Sequence, residues 1–404
     1  MNGKSLANDR IASGDGNIQE IVSYILSFLC YEREQAAMRV AYSADQQLLD
    51  RYDVLILPSG HLGKDIVLPD LAKPVVSNPF KHKYIIHTDI VYNAFFFLSR
   101  AEEVINTQRD EHGRFLARYS VLGRGSNLLL PLIDEYARLV LKCLNEPMPL
   151  PGYDRIYLTH DIDSLTRYRS LRGTLGGIHR GEWQQVLASW RDIHNDPDYT
   201  FPWLMEQDKQ VCEAQPVYFV KMTRGAGFDY PQYNLAGRDY NRLNRWLLDQ
   251  GAFTGIHNSY YDNIQQIALD RSVENPVVFQ RFHYLRCSLH KMRALVRLGY
   301  TDDFSVGFAD RAGFRLQTTR AVRWIDPEQM TLTPLRLHPL MIMDTTLSAG
   351  KYMHLSEDEA YYLCQQIIDK VRMHHGELNL LWHNSNLTPE SYHRSLYPKI
   401  LKLI

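Results

Sequence analysis

The densest chemistry in this 404-residue chain lies in THDID, Thr159 to Asp163. Extended backbone repeats every two residues, so Asp161 and Asp163 fall on one face and His160 and Ile162 on the other. Two carboxylates this close repel unless a proton or a cation lies between them. One of them can then bind a metal while the other stays free as a base. Solvated turn or cap aspartates are the plain alternative for an isolated DxD. Residues downstream argue against it, because further apolar runs also end in titratable groups: His257 after FTGI, Arg281 and His283 in QRFHYLR, Asp344 after HPLMIM, and His383 after LNLLW. His257 suits a ligand role beside Asp163 and His283. Arg281 and His283 share a face in extended backbone, and that pairing of positive groups needs an anion opposite, which the two aspartates supply.

Such groups converge only if the runs are neighbouring strands. The candidate strands are Arg155–Asp163, Pro216–Met222, Phe253–His257, Val277–Leu285, Thr301–Phe308, His338–Asp344 and Leu378–Asn384. Amphipathic helical stretches separate several of them: Asn241–Gln250, Leu289–Gly299 and Glu357–His375. Near-continuous apolar strands alternating with helices predict a parallel α/β sheet, and seven of them suit a β/α barrel with its reactive groups at the carboxyl ends of the strands. Upstream, NEPMPLPGYD (Asn145 to Asp154) packs three prolines into five residues and stops the helical pattern of Pro131–Asn145. The break predicts a smaller α+β accessory domain over 1–148 and the barrel over 149–404. Within the first, Tyr52–Gly60 and PVVSNPF read as strand pieces, and Asp89–Glu103 as a helix capped by Asp89.

Composition narrows the class. Lys+Arg is 45 and Asp+Glu 46, a balance that gives no sign of a nucleic-acid partner. The five cysteines are widely spaced with no CxxC, which fits a reducing compartment better than a disulfide framework or a thiolate zinc site. No apolar run reaches the ~20 residues of a membrane span, and MNGKSLANDRIASGDGN lacks the apolar core of a secretory signal. The expectation is a cytoplasmic protein. His374 and His375 read as helix-end residues, and TRGAGF (Thr223 to Phe228) lacks a phosphate-loop pattern.

On THDID, GIHNSYYD, QRFHYLR, GFADRAGFR, HPLMIMDTTL and LLWHN, taken in that order, the chain resembles the NodB-homology polysaccharide deacetylases, carbohydrate esterase family four. DIVYNAFFFLSRAEEVINTQRDEHGRFLARYSV likens it to a divergent bacterial branch with an extra N-terminal domain. The resemblance implies a distorted (β/α)7 barrel preceded by a smaller α+β domain. It implies Asp161 as general base, Asp163 and His257 as metal ligands, Arg281 as the residue orienting the base, Tyr284 as the partner of that Arg motif, and His383 as general acid. Tyr261 stands where the family's HxxxH motif has its second histidine. His283 is the candidate replacement, with Asp262 behind it. Asp344 or Asp310 would hold His383 in its protonated tautomer, and Arg315 would brace that network.

The activity so implied is metal-assisted hydrolysis of an N-acetyl group on a sugar or glycan precursor. The divalent ion is zinc by donor type, with cobalt, nickel or iron fitting the same ligands. A backbone N–H of Tyr284 would meet the developing oxyanion. Two readings compete: a catalytically silent barrel that binds glycan or serves in assembly, and a glycosyltransferase using the DxD. The second gives no role to His257, His283 or His383.

Overall fold

The computed structural model describes residues 16–123, 127–222, 226–229, 233–272 and 279–404. Two sheets organise it. The smaller holds β1 (Val40–Tyr42), β2 (Val54–Ile56), β3 (Val76–Phe80) and β4 (Lys83–Ile86) in the order β1-β2-β4-β3. Its β3–β4 pair is antiparallel and its other pairs parallel. Helix Ile90–Leu98 follows, capped as its sequence predicts: the Asp89 carboxylate accepts from Tyr92 N–H at 2.8 Å. Helix Leu132–Leu144 ends at a left-handed Asn145, just before the prolines.

The larger sheet holds β5 (Tyr153–Ile162), β6 (Ala214–Val220), β7 (Phe253–Asn258), β8 (Phe279–Phe282), β9 (Asp302–Asp303), β10 (Val322–Asp326), β11 (Thr331–Leu337), β12 (Ile342–Met343) and β13 (Gly376–Leu381). Its order is β10-β11-β9-β8-β7-β6-β5-β13-β12, parallel throughout except β10–β11. β13 is buried along its whole length, as a parallel strand covered on both faces must be. The helices expected between strands form at Arg238–Asp249, Leu289–Arg297 and Glu357–Met373. Ser288 caps the second, and Ser356 with Glu359 makes a capping box on the third.

The sheet curls because one stretch of chain serves both its ends. β11 pairs with β9, and a few residues later β12 pairs with β13. β11 and β12 do not pair with each other, so the hydrogen-bond ladder of the curled sheet stays open between them. The strand expected over Thr301–Phe308 pairs only at Asp302–Asp303, and the one over His338–Asp344 only at Ile342–Met343. Between them lies an antiparallel hairpin the sequence reading missed. Its turn is built by Asp326, whose carboxylate accepts from Glu328 and Gln329 N–H at 3.0 and 3.2 Å. Val277 and Val278 of the expected strand lie outside the described residues.

One hydrophobic cluster runs through both sheets, joining Ile25, Phe95 and Tyr136 to Trp324, Leu335 and Ile256. A second, around Trp382, Leu158 and Ile367, packs the other side of the larger sheet. His160 belongs to that side, as the period of two requires. Its ring bonds to the Trp382 carbonyl at 2.8 Å and to Asp208 at 3.0 Å.

Candidate metal and active site

The opposite face of β5 carries Asp161 and Asp163 to the carboxyl end of the sheet, where β7, β8 and β13 deliver their last residues. Asp163 Oδ1 lies 3.3 Å from His257 Nε2 and 3.2 Å from His283 Nε2. Candidate ligand atoms of the three residues all fall within 4.8 Å of one another. The tautomer of His257 follows from its other nitrogen. Nδ1 is 3.1 Å from the Arg281 carbonyl, which can only accept, so Nδ1 carries a hydrogen and Nε2 is the nitrogen that faces Asp163. Both Asp163 Oδ1 and His257 Nε2 are buried without a hydrogen-bond partner. A buried carboxylate oxygen and a buried imidazole nitrogen left without hydrogen-bond partners are costly unless a proton or a cation lies between them. The donor set of one carboxylate and two imidazoles therefore fits a divalent metal such as zinc.

Behind the ligands stand groups that orient them. Asp229 Oδ1 faces His283 Nδ1 at 3.6 Å, while Asp229 accepts from Tyr260 N–H at 2.6 Å. Burial would raise the Asp229 carboxyl, but His283 and the hydrogen bonds from Ser259 and Tyr260 bring it down to about 2. Burial likewise opposes ionisation of Asp163, and the two imidazoles overcome it, holding that carboxyl well below its ordinary value.

Asp161 sits apart from the triad. Its Oδ1 accepts from Arg281 Nη1 at 2.9 Å, and its Oδ2 remains 4.0 Å from His257 Nε2. Arg281 is fully buried, donates Nε–H to the Phe304 carbonyl at 3.0 Å and lies over the Phe219 ring. A guanidinium locked in this way fixes one carboxylate oxygen and leaves the other facing the cluster. His383 follows β13. Its Nδ1 pairs with Asp344 Oδ1 at 2.8 Å, and its backbone N–H donates to Asp344 Oδ2 at 2.7 Å. Burial alone would lower the imidazole, but Asp344 pushes it up to about 9. Asp344, also held by Asn386 at 3.0 Å, stays ionised far into acid.

These groups open onto one cleft of about 460 Å³, lined by Asp161, Asp163, His283, Tyr284 and His383. Tyr284 is partly exposed with φ of 60°, and its ring lies against His112 and Phe228. All seven expected site residues are thus brought to one end of the sheet. The lesser assignments fare differently. Asp262 pairs with Arg286 at 2.8 Å on the surface, outside the triad. Asp310 is turned away from His383 and accepts from the backbone of Ala117 at 2.8 Å. Arg315 bonds to Glu103 at 2.6 Å and to the Gly307 carbonyl, so it braces the junction of the two sheets and not His383. Asp344 is the partner of His383.

The sequence reading also missed residues. Arg114, from before the proline break, lines the cleft and donates to Tyr352 Oη at 2.7 Å. Lys221, Phe228, Lys351 and Asn386 line it too. Of the TRGAGF segment, Thr223 to Gly225 lie outside the described residues. No motif spacing marks these positions, because loops distant in sequence bring them together.

Comparisons with known proteins add the following. Residues 16–149 match the model of a family of unknown function, DUF7033. No curated protein matches the chain. Among solved structures, it is similar to a Mycobacterium smegmatis protein provisionally described as a polysaccharide deacetylase, with 11% identity, a TM-score of 0.40, and coverage of 63% of this chain and 87% of the other. A Bordetella bronchiseptica protein, provisionally described as a polysaccharide deacetylase of O-antigen biosynthesis, matches at 12% identity and a TM-score of 0.34, covering 62% of this chain and 82% of its own.

Proposed function

We propose that this chain is a metal-dependent hydrolase that removes N-acetyl groups from a sugar or glycan precursor. One observation carries the reading: an Asp/His/His triad, with Asp163 Oδ1 and His257 Nε2 buried and unpartnered, lies beside a carboxylate fixed by arginine, in a cleft that also holds a carboxylate-paired imidazole. Each part answers a demand of amide hydrolysis. Asp163, His257 and His283 would hold the divalent ion, zinc by donor type, with cobalt, nickel or iron as alternatives. Bound there, the ion supplies Lewis acidity to the cleft.

Asp161 takes a proton from water through the oxygen that Arg281 leaves free. Arg281 keeps that carboxylate aimed. His383 enters protonated on both nitrogens, because Asp344 holds Nδ1–H, and it gives its Nε2 proton to the departing amine. An amine leaves poorly without that proton. The backbone N–H of Tyr284 lies at the mouth as a donor for the oxyanion.

We read the curled sheet as a distorted (β/α)7 barrel, counting Thr331–Met343 as one strand position. The division of the chain at residue 148 and a reducing, cytoplasmic setting belong to the same proposal. The setting is supported by cysteines that form no disulfide among the described residues, four of the five being buried.

The test joins metal analysis to acetate release. Purified protein should carry zinc in stoichiometric amount and liberate acetate from N-acetyl sugars. Asp163→Ala should lose both metal and activity. A metal-loaded protein that releases no acetate from any sugar in a broad panel would favour the silent barrel.

A further inference from the structure

Between Asp163 and β6 the chain makes a helical hairpin, Leu171–His179 and Trp183–Arg191, whose outer face is apolar. Leu171, Leu175 and Ile178 recur at the i, i+4, i+7 spacing on the first helix, and Trp183, Leu187 and Trp190 repeat it on the second. All six are between 49% and 79% exposed. That spacing ordinarily marks the buried stripe of a helix, and here it faces outward. The inner face is already satisfied. Gly177 lets the helices approach so closely that a Cβ there would meet Val186 at 2.6 Å, and Ser189 is buried against Asp196 at 2.7 Å.

The apolar stripe is set in positive charge. The hairpin itself, residues 171–191, contains three arginines against one acidic residue, Glu182, which pairs with Arg180, in a chain whose net charge is -1. Arg172 and Arg191 are exposed, and neither has an acidic partner among the described residues. Arg169 lies over the Trp190 ring at 5.1 Å. We propose that this hairpin is an interfacial docking surface for an anionic lipid bilayer, seating its leucines and tryptophans at the headgroup boundary with arginines around them.

Charge favours a bilayer over a second copy of the chain, because a copy of the same face carries the same net positive charge while an anionic headgroup layer attracts it. The chain has no described helix long and apolar enough to cross a membrane, so the contact would be peripheral.

The surface is also tied to the cleft. Asn384, the residue after His383, donates to the carbonyls of Ser164 at 3.0 Å and Asp198 at 2.8 Å, pinning both ends of the insertion. The docked face and the reactive loop are therefore one rigid unit.

The test uses the full chain with vesicles of equimolar phosphatidylglycerol and phosphatidylcholine, and with phosphatidylcholine alone. The protein should sediment with the anionic vesicles at low salt, lose most of that binding at high salt, and show a blue shift of tryptophan emission on binding. The joint variant Leu175→Ser and Leu187→Ser should bind about ten-fold more weakly per leucine removed. Arg172→Glu with Arg191→Glu should abolish the preference for anionic vesicles. Exposed positions leave the fold intact, so thermal midpoints should match the parent. Failure to sediment at low salt, or equal binding by the leucine variant, overturns the proposal. So does a solution dimer that the same leucine changes dissociate, since a second copy would then cover the face. Vesicle binding is read without turnover, so its failure is distinct from failure of the hydrolase reading.

Discussion

Replacing Asp344 by Asn removes one charge and leaves the shape of the site. In the parent, burial pulls the His383 imidazole down, and the Asp344 carboxylate, 2.8 Å from Nδ1, outweighs it and sets the value at about 9. The ordinary histidine value is ~6.5, so the net upward shift corresponds to about 3 kcal/mol in favour of the imidazolium. Without the Asp344 charge, burial opposes only the more distant Asp161 and Asp163, and the midpoint should fall to ~6.5 or below. Near pH 8 the protonated fraction then drops from about nine-tenths to about three-hundredths, roughly a 30-fold loss of the acid form. Near pH 6 both proteins are mostly protonated and differ far less. The titration is read by NMR on the His383 Cε1 proton, identified as the signal lost in His383→Gln, so it needs no substrate. Once a substrate is in hand, the basic limb of kcat/KM should move down by about 2.5 units or more in Asp344→Asn. A midpoint that stays within about half a unit of the parent would refute the claim that Asp344 sets the protonation of His383.

Asp161→Asn should retain zinc and lose about 10²–10⁴ in turnover, as a lost general base does; near-normal acetate release would remove it from the mechanism. Asp229→Asn should weaken zinc binding about 10–100-fold through the freed His283 ring, measured by competition with a chromophoric chelator. Equal affinity would assign Asp229 to loop structure alone. His338 lies between Glu377 at 2.7 Å and Asp302 at 2.9 Å; burial lowers its imidazole and the two carboxylates raise it to about 9. A folded-state value above the unfolded one stabilises fully below ~6.5 and is lost as pH rises through 9. The urea midpoint of the parent should therefore fall over that range, and the fall should be shallower in His338→Gln.

What the sequence made legible was local geometry. The period of two put Asp161 and Asp163 on one face and Arg281 and His283 on another, and Arg281 meets Asp161 while His283 meets Asp163. Apolar runs ending in titratable residues located the mouth. Choices between distant partners were not legible. Asp310 and Asp344 both follow apolar runs, and only the fold shows that Asp310 is taken by the Ala117 backbone, 193 residues away. Arg315 is drawn to Glu103 for the same reason, since a buried guanidinium goes where a buried carboxylate is left to pair. The β10–β11 hairpin was readable in principle: TLTPLRL alternates, and Asp326 opens its turn. It was lost because an alternating βα reading assigns the chain between strands to helices.

The position of Tyr261 shows why a motif can lose a residue and its site can stay whole. After His257 the chain leaves β7 into a loop held from two sides. Buried Lys291 Nζ donates to the Ser259 and Tyr260 carbonyls at 2.9 and 2.8 Å, and Asp229 accepts from Tyr260 N–H. That course turns Tyr261 outward, 40% exposed, with its hydroxyl 3.3 Å from Phe228 N–H. A histidine on the same outward course would need a different backbone to meet Asp163. His283 needs no such change. It stands one residue past β8, whose pairing with β7 sets His257 beside Arg281, so the sheet places the turn that carries its ring at the cluster. A ligand carried at a strand end is fixed by the hydrogen-bond ladder, whereas one carried on a loop depends on every contact that holds the loop. The proposed donor set of Asp163, His257 and His283 therefore does not call for a histidine at position 261.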